Sequence, residues 1–153
     1  MIPVQRLNHA VLYVRDAERA AAFYEEVFGF ETVDRMPGAA FMRAAGTANH
    51  HDLGLFSVGP DAPLPQRGRV GLYHLAWEVP SVHDLTVARD LLQRVGAYVG
   101  ESDHGVSKSI YGHDPDGNEF EIMWAVPRES WGEYAQKGAV LPLDLDREVA
   151  RFG

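Results

Sequence analysis

The sequence predicts an α+β fold in which two tandem βαβββ units form a curled mixed sheet around a central cleft. Three observations lead to this prediction. The segment Leu7–Asp16 (LNHAVLYVRD) resembles Leu72–Ser81 (LYHLAWEVPS), and each has a histidine at its third position, His9 or His74. Each segment is followed by a helical pattern and then by short strands between turn residues. A stretch rich in Pro and Gly, residues 59–68, separates the two copies as a linker.

The first unit is predicted to span about residues 5–58. Asp16 can cap a helix, and Gly29 ends it. The apolar residues of this helix recur at helical spacing: Ala20, Phe23, Tyr24 and Val27. Three strands should follow, at Phe30–Arg35, Phe41–Ala44 and Asp52–Val58.

The second unit repeats this order over about residues 70–126. Ser81 is the predicted helix cap and Gly96 the end, with an apolar stripe of Leu85, Ala88, Leu91, Leu92 and Val95. The predicted strands are Tyr98–Ser102, Ser107–Gly112 and Glu119–Ala125. A tail, residues 127–153, should pack over the outside and end in a short helix near Asp146–Phe152. We therefore expect one module over residues 1–153.

Composition narrows the classes of function. The chain has 153 residues, 46% hydrophobic and 24% charged, which suits one well-cored globular domain. The formal net charge of −8 argues against nucleic acid or an anionic membrane as a partner. No apolar run is long enough to span a membrane, and the first residues do not resemble a signal peptide, so a cytoplasmic location is expected. Without cysteine, a bound metal would have nitrogen and oxygen ligands.

Strand alternation places three metal-ligand side chains toward the cleft. In the first strand of each unit, side chains alternate between two faces. The face opposite the histidine carries the bulkier apolar residues and should pack against the helix, so His9 and His74 face the cleft. In the last strand, Phe120, Ile122 and Trp124 should face a helix, which turns Glu121 the other way. Burying a carboxylate among apolar neighbours costs free energy unless the carboxylate is paired or binds a metal.

Two histidines at equivalent positions of a repeat, with one carboxylate, favour a metal site at His9, His74 and Glu121. Such a set leaves other positions of the metal open, as in non-haem Fe(II) oxygenases. Simpler interpretations exist for each residue alone. Either histidine could be a hydrogen-bonded structural residue. Glu121 could instead form a salt bridge to Arg43 or Lys108, and Glu119 is a rival ligand on the same face.

The repeat, the two histidine-bearing strands and the segment Asp114–Glu121 (DPDGNEFE) resemble the vicinal oxygen chelate superfamily. The resemblance covers about residues 5–126. That superfamily includes glyoxalase I, epimerases, drug-resistance proteins and extradiol ring-cleaving dioxygenases, so the resemblance implies the fold more strongly than the activity.

Two features resemble the extradiol catechol dioxygenase branch. When the sequences of the two copies are aligned, Gly54 takes the position of Glu121. Glyoxalase I-like members carry a fourth metal ligand, a carboxylate, near this position, and glycine has no side chain to supply it. The pair His51-Asp52, the segment His104–Ser107 (HGVS) and Tyr111 are similar to the active-site histidine that does not bind the metal, the His-Gly-Val-Ser segment and the tyrosine of that branch. The stretch from His104 to Tyr111 is about two residues shorter than in the homoprotocatechuate type. The chain also has one module where many such enzymes have two.

This resemblance implies a metal-dependent ring-cleaving dioxygenase of aromatic catabolism, which brings a catechol-like diol and O2 together on Fe(II), or on Mn(II) or another divalent metal. His51 would move protons near pH 7, because histidine titrates in that range. Tyr111 would donate a hydrogen bond to a bound phenolate oxygen, and His104 would close over the site. The alternatives are a glyoxalase- or epimerase-type isomerase and a metal-free drug-binding protein. A homodimer or higher homo-oligomer is expected from the family's habit. His50, His83 and His113 are expected at the surface.

Overall fold

The computed structural model describes residues 1–153 and divides into two compact units. The N-terminal unit is Met1–Pro65 and the C-terminal unit is Gln66–Gly153. The division falls inside the predicted linker, residues 59–68. Each unit is built around its own four-stranded mixed sheet.

The N-terminal unit contains β1 (Ala10–Val14), α1 (Ala17–Phe28), β2 (Glu31–Met36), β3 (Ala39–Arg43) and β4 (Leu53–Ser57). The strand order is β1-β4-β3-β2. β1 and β4 are parallel, and the other neighbours are antiparallel. The helix α1 is therefore part of the connection that leads from β1 into the rest of the sheet.

The C-terminal unit repeats this plan with β5 (His74–Glu78), α2 (Val82–Arg94), β6 (Tyr98–Asp103), β7 (Ser107–His113) and β8 (Glu119–Ala125). The strand order is β5-β8-β7-β6, again with one parallel pair, β5 and β8. Two short 3-10 helices and the helix α3 (Leu145–Phe152) follow. The predicted α+β class and the doubled βαβββ order are confirmed, and the predicted strand ends differ from the observed ones by at most two residues.

The ends of both long helices follow from local chemistry. The Asp16 carboxylate accepts hydrogen bonds from the backbone N–H groups of Glu18 and Arg19, which have no partner inside α1. Gly29 has a φ of 64°, in the left-handed region where glycine is favoured, and it ends the helix. At the start of α2, the Asp84 carboxylate accepts from both the backbone N–H and the hydroxyl of Ser81.

The core of each unit lies between its sheet and its long helix. Leu12 and Val14 are buried, whereas Val11 and Tyr13 on the other face of β1 are exposed. In β8, the side chains of Phe120, Ile122 and Trp124 are buried as predicted. The strand alternation that we used to orient the functional side chains is therefore correct in both units.

Strand register shows which positions of the two units are equivalent. Val11 pairs with Gly54 in the N-terminal unit, and Ala76 pairs with Glu121 in the C-terminal unit. Val11 lies two residues after His9, as Ala76 lies two residues after His74. Gly54 is thus the structural counterpart of Glu121, in agreement with the sequence comparison.

No helix in residues 1–153 is both long enough and apolar enough to cross a membrane.

Candidate metal and catalytic site

The turn that leads into β8 is held by one buried carboxylate. Oδ1 of Asp114 accepts hydrogen bonds from the N–H groups of Asp116 and Asn118, each at 2.9 Å. Oδ2 of Asp114 accepts from the side-chain amide of Asn118 at 2.9 Å. Gly117 has a φ of 82°, which this tight turn requires. The turn fixes where β8 begins, and with it which side chains of the strand face away from α2.

Glu121, on that face of β8, contacts His74 of the neighbouring strand. Oε2 of Glu121 lies 3.1 Å from Nε2 of His74. The carboxylate is nearly buried, with 12% of its side chain exposed. The alternative partners named from the sequence are wrong: Arg43 pairs with Glu31, and Lys108 points to the opposite face, where it pairs with Asp103.

Tyr111 and His104 extend this contact into a chain of polar groups. The Tyr111 hydroxyl lies 3.4 Å from Oε1 of Glu121 and 2.7 Å from Nε2 of His104. Burial, reinforced by the negative charge of Glu121, raises the pKa of Tyr111 to about 12. Tyr111 is therefore a protonated phenol at neutral pH, and its O–H is available for hydrogen bonding.

His74, Tyr111 and His104 border an open cavity of about 370 Å³ in the C-terminal unit, and Glu121 lies behind them, in contact with His74 and Tyr111. A volume of this size is within the range of small-molecule sites. The cavity wall combines polar and charged groups with aromatic and aliphatic ones: Arg67, Tyr73, His74, Val99, Gly100, Glu101, Ser102, His104, Tyr111, Glu119 and Val140.

Glu119, the rival metal ligand, has a different partner. Its carboxylate accepts a 2.7 Å ion-pair hydrogen bond from Arg67 at the edge of the cavity. Glu119 sits beside His74 in the strand register, whereas Glu121 makes the direct contact with the imidazole. This geometry favours Glu121 over Glu119 as the ligand.

The other predicted site histidines lie together in the N-terminal unit. His51 sits in the loop just before β4, and its ring centroid is 4.7 Å from that of His9 and 5.1 Å from that of Phe41. Nδ1 of His50 lies 3.1 Å from Nδ1 of His51. Partial burial and the neighbouring rings of His9 and His50 lower the pKa of His51, which outweighs the opposite influence of Asp52.

His9 itself is exposed, immediately before β1. Its Nδ1 is 2.9 Å from the side-chain oxygen of Asn8. An amide oxygen can only accept a hydrogen bond, so Nδ1 of His9 carries a proton, and in the neutral ring the lone pair is on Nε2. An imidazole oriented in this way can bind a metal through Nε2.

A buried network next to these histidines was missed by sequence reasoning. The Asp52 carboxylate accepts from the Ala44 N–H, the Thr47 hydroxyl and the Asn49 amide at 2.7–2.9 Å. The same Asn49 amide donates to the Asn8 carbonyl at 2.9 Å. Although burial alone would raise the pKa of Asp52, these hydrogen bonds hold it below its ordinary value. The network ties the loop that carries His51 to the residues that carry His9, and only the polar cluster Thr47–Asp52 hinted at it.

The predicted ligand set draws on both units. His74 and Glu121 are in contact in the C-terminal unit, and His9 belongs to the N-terminal unit. Neither unit by itself contains a group of three His, Asp or Glu side chains suited to hold a metal. The three-residue site therefore stays a prediction.

Comparison with known proteins identifies the class. Residues 6–122 match the model of the Glyoxalase/Bleomycin resistance protein/Dioxygenase superfamily, and the chain belongs to this family. It is 35% identical over 126 residues to catechol-2,3-dioxygenase of Bacillus subtilis (82% of this chain, 43% of the relative). It is 33% identical over 136 residues to biphenyl-2,3-diol 1,2-dioxygenase 3 of Rhodococcus globerulus (85% of this chain, 70% of the relative). The chain thus spans less than half of the first relative.

Other members of the family carry different activities. The chain is 30% identical over 125 residues to the metallothiol transferase FosB of Lysinibacillus sphaericus (78% of this chain, 82% of the relative). The crystal structure of the fosfomycin resistance protein FosX of Listeria monocytogenes, complexed with Mn(II) and sulfate, superposes with a TM-score of 0.64 at 20% identity. That superposition covers 88% of this chain and 99% of FosX, and it supports the fold.

Proposed function

We propose that this protein is a metal-dependent extradiol dioxygenase, which inserts both atoms of O2 into a catechol-like aromatic diol and opens its ring. The observation that carries the proposal is the polar chain His74–Glu121–Tyr111–His104, of which His74, Tyr111 and His104 line the cavity. The similarity to two diol dioxygenases supports the same reaction class.

The residues present fit a divalent metal. Two imidazoles and one carboxylate form the mixed nitrogen and oxygen donor set that iron and manganese accept. The contact between His74 and Glu121 brings two of these donors together, and Nδ1 of His74 is buried without a hydrogen-bond partner. His9 would be the third ligand, through its free Nε2. The bound metal, Fe(II) or Mn(II), would supply redox chemistry and a shared binding place for the diol and O2.

The chain's own residues would orient the diol and move its protons. His51, with its lowered pKa, is neutral at pH 7 and can accept a proton from a substrate hydroxyl. Tyr111 would hydrogen-bond a substrate oxygen, and His104 would fix the hydroxyl of Tyr111. Tyr73 and the aliphatic wall residues would bind the ring and exclude water from it.

The decisive experiment is anaerobic loading of the purified protein with Fe(II), and separately Mn(II), followed by addition of air-saturated catechols. We expect oxygen uptake together with the yellow ring-opened product. His83→Ala serves as a control, because His83 is an exposed histidine at the start of α2. Absence of turnover across a broad panel of catechols, with metal demonstrably bound, would refute the proposal.

Substitutions separate metal binding from proton transfer. His9→Ala and His74→Ala should abolish stoichiometric metal binding, measured by elemental analysis after gel filtration. His51→Ala should retain the metal and lose at least tenfold in kcat, the low end of what a general base contributes. His83→Ala removes an exposed imidazole of α2, outside the histidine cluster of the N-terminal unit, and is the control. Normal turnover of His51→Ala would exclude His51 as the acid–base group.

Metal-dependent transfer of a thiol is the second candidate. It is favoured by the similarity to the metallothiol transferase FosB, to which the chain is 30% identical over 125 residues. A glyoxalase-type isomerase is less well supported, because the counterpart of Glu121 is Gly54 and offers no fourth ligand. Incubation of the metal-loaded protein with fosfomycin and a thiol tests the transferase directly. Adduct formation without catechol cleavage would favour that candidate.

A further inference from the structure

The C-terminal tail contacts His104 at the cavity. We call residues Gly138–Leu141 the C-terminal clamp. Asp103 and Leu141 exchange two backbone hydrogen bonds of 2.9 Å, which form an antiparallel bridge. One residue further along the loop, Nδ1 of His104 lies 2.7 Å from the carbonyl oxygen of Ala139. Val140, between the two contacts, lines the cavity.

The partner of Nδ1 determines the tautomer of His104. A carbonyl oxygen can only accept a hydrogen bond, so Nδ1 of His104 must carry a proton. In the neutral ring Nε2 then has a lone pair, and it faces the Tyr111 hydroxyl at 2.7 Å. The Tyr111 hydroxyl therefore donates its hydrogen bond to Nε2 of His104. The longer 3.4 Å contact with Glu121 is the weaker competitor for that proton.

We propose that the C-terminal clamp is a positioning element of the active site, which fixes His104 as the Nδ1–H tautomer and so sets the direction of the hydrogen-bond chain through Tyr111. Because its O–H points at His104, Tyr111 presents an oxygen lone pair to the cavity. It accepts a hydrogen bond from a substrate hydroxyl instead of donating one. The catalytic consequence rests on the proposed function, whereas the tautomer itself does not.

The clamp is held from both ends by packing of the tail. On one side, Tyr134 packs against Gly105, which has a φ of 76° and no space for a side chain. On the other side, α3 is anchored by the fully buried Leu145 and by Glu148, which lies 3.6 Å from the Nζ of Lys108. Both anchors bracket the loop that carries His104. The tail is therefore fixed on either side of Ala139.

Histidine NMR gives a readout that does not depend on activity. In protein labelled with ¹⁵N-histidine, a long-range ¹H–¹⁵N correlation distinguishes protonated from unprotonated ring nitrogens. His104→Gln identifies the His104 signals among the seven histidines. We expect Nδ1 of His104 to be protonated and Nε2 to be unprotonated at pH 7.5. A protonated Nε2 with an unprotonated Nδ1 would overturn the inference.

Two substitutions at one position test the role of the clamp. Leu141→Pro removes the N–H that bonds to Asp103, and Leu141→Ala removes most of the side chain but keeps that N–H. Leu141 is exposed, so both variants should fold. We expect Leu141→Ala to keep the native tautomer and Leu141→Pro to give a mixture of tautomers. In an active enzyme, Leu141→Pro should lower kcat about threefold to tenfold with little change in KM, the equivalent of one hydrogen bond.

Further outcomes separate this inference from the proposed function. If no catechol is cleaved but the tautomer shifts only in Leu141→Pro, the positioning role of the clamp stands and the dioxygenase proposal falls. If catechols are cleaved while Leu141→Pro keeps the native tautomer, the clamp inference is wrong. Should Leu141→Pro fail to fold, His104→Asn retains an amide near the Nδ1 position and His104→Gln near the Nε2 position. Equal kcat values for these two variants would also contradict the inference.

Discussion

Asp103→Asn is expected to destabilise the protein strongly, because it leaves a buried lysine without its main counter-charge. Nζ of Lys108 lies 2.5 Å from Oδ1 of Asp103, and both side chains are less than one tenth exposed. Burial would raise the pKa of Asp103, but hydrogen bonds from Lys108 and the Gly105 N–H outweigh it and lower that pKa. Asparagine can still accept from the Gly105 N–H, so the substitution removes mainly the charge.

The magnitude follows from what remains around Lys108. Breaking a buried ion pair by removing one partner costs about 3–5 kcal/mol. Lys108 keeps Glu148 at 3.6 Å, and an attraction that falls as the inverse of distance leaves that pair about seven tenths as strong. We therefore expect the low end, about 3 kcal/mol, which corresponds to a fall in Tm of about 6–12 °C for a protein of this size.

Urea unfolding followed by tryptophan fluorescence measures this cost. Glu133→Gln is the matched control, because it breaks an ion pair of similar length, 2.6 Å to Lys137, that is exposed to water. Exposed pairs contribute about 0–1 kcal/mol, so the control should leave the midpoint almost unchanged. If the two variants lost equal stability, the assignment of Lys108 and Asp103 as a buried, stabilising pair would be wrong.

Three further predictions concern the same region. Tyr111→Phe should lower the free energy of unfolding by no more than about 1 kcal/mol, the net value of one hydrogen bond. It should nevertheless lower kcat at least tenfold, and an unchanged kcat in the metal-loaded enzyme would contradict the proposed role of the Tyr111 hydroxyl. Gly105→Ala should lower Tm, since a Cβ would collide with the ring of Tyr134 and the φ of 76° disfavours alanine. Adding Tyr134→Ala should restore only part of that loss, because the overlap with the Cβ of Tyr134 and the backbone strain both remain, and full restoration would exclude both. Because the folded-state pKa of Asp103 lies below its ordinary value of 3.8, its stabilisation is complete above about that pH and is lost as the pH falls through the folded-state pKa. The Tm gap between the native protein and Asp103→Asn should therefore stay constant above about pH 3.8 and narrow as the pH falls below that value, and a gap that stays constant there too would refute the ionic origin.

The alternation of apolar residues within strands and the repeat of the βαβββ unit were sufficient to predict the fold and which face of each sheet a side chain lies on. The buried Leu12 and the inward Phe120 follow from period-two patterns, which depend only on neighbours in sequence. The repeat located His74 and Glu121 on one face, and they are in contact in the structure. His51 lies in the loop before β4, and strand alternation could not orient it because parity does not apply outside a strand.

The partners of the charged residues could not be predicted in the same way. Lys108 is paired with Glu148, which lies 40 positions further along the chain, in a helix that the repeat does not include. The contact of His104 is a backbone carbonyl, that of Ala139, and a carbonyl leaves no signature in residue type. The hydrogen bonds that support Asp52 likewise depend on how the loop 44–52 folds back on itself.

The linker has a consequence for engineering and for folding. No strand pairing crosses it, so each sheet can form from contacts within one half of the chain, which keeps loop closure short. Its first part is tied to the N-terminal unit by Arg15, which donates to the Ala62 carbonyl, and its last part to the C-terminal unit by the pair of Arg67 and Glu119. Residues 63–65 between these two attachments are therefore the place where extra residues, or a break in the chain, would interrupt no hydrogen-bonded ladder.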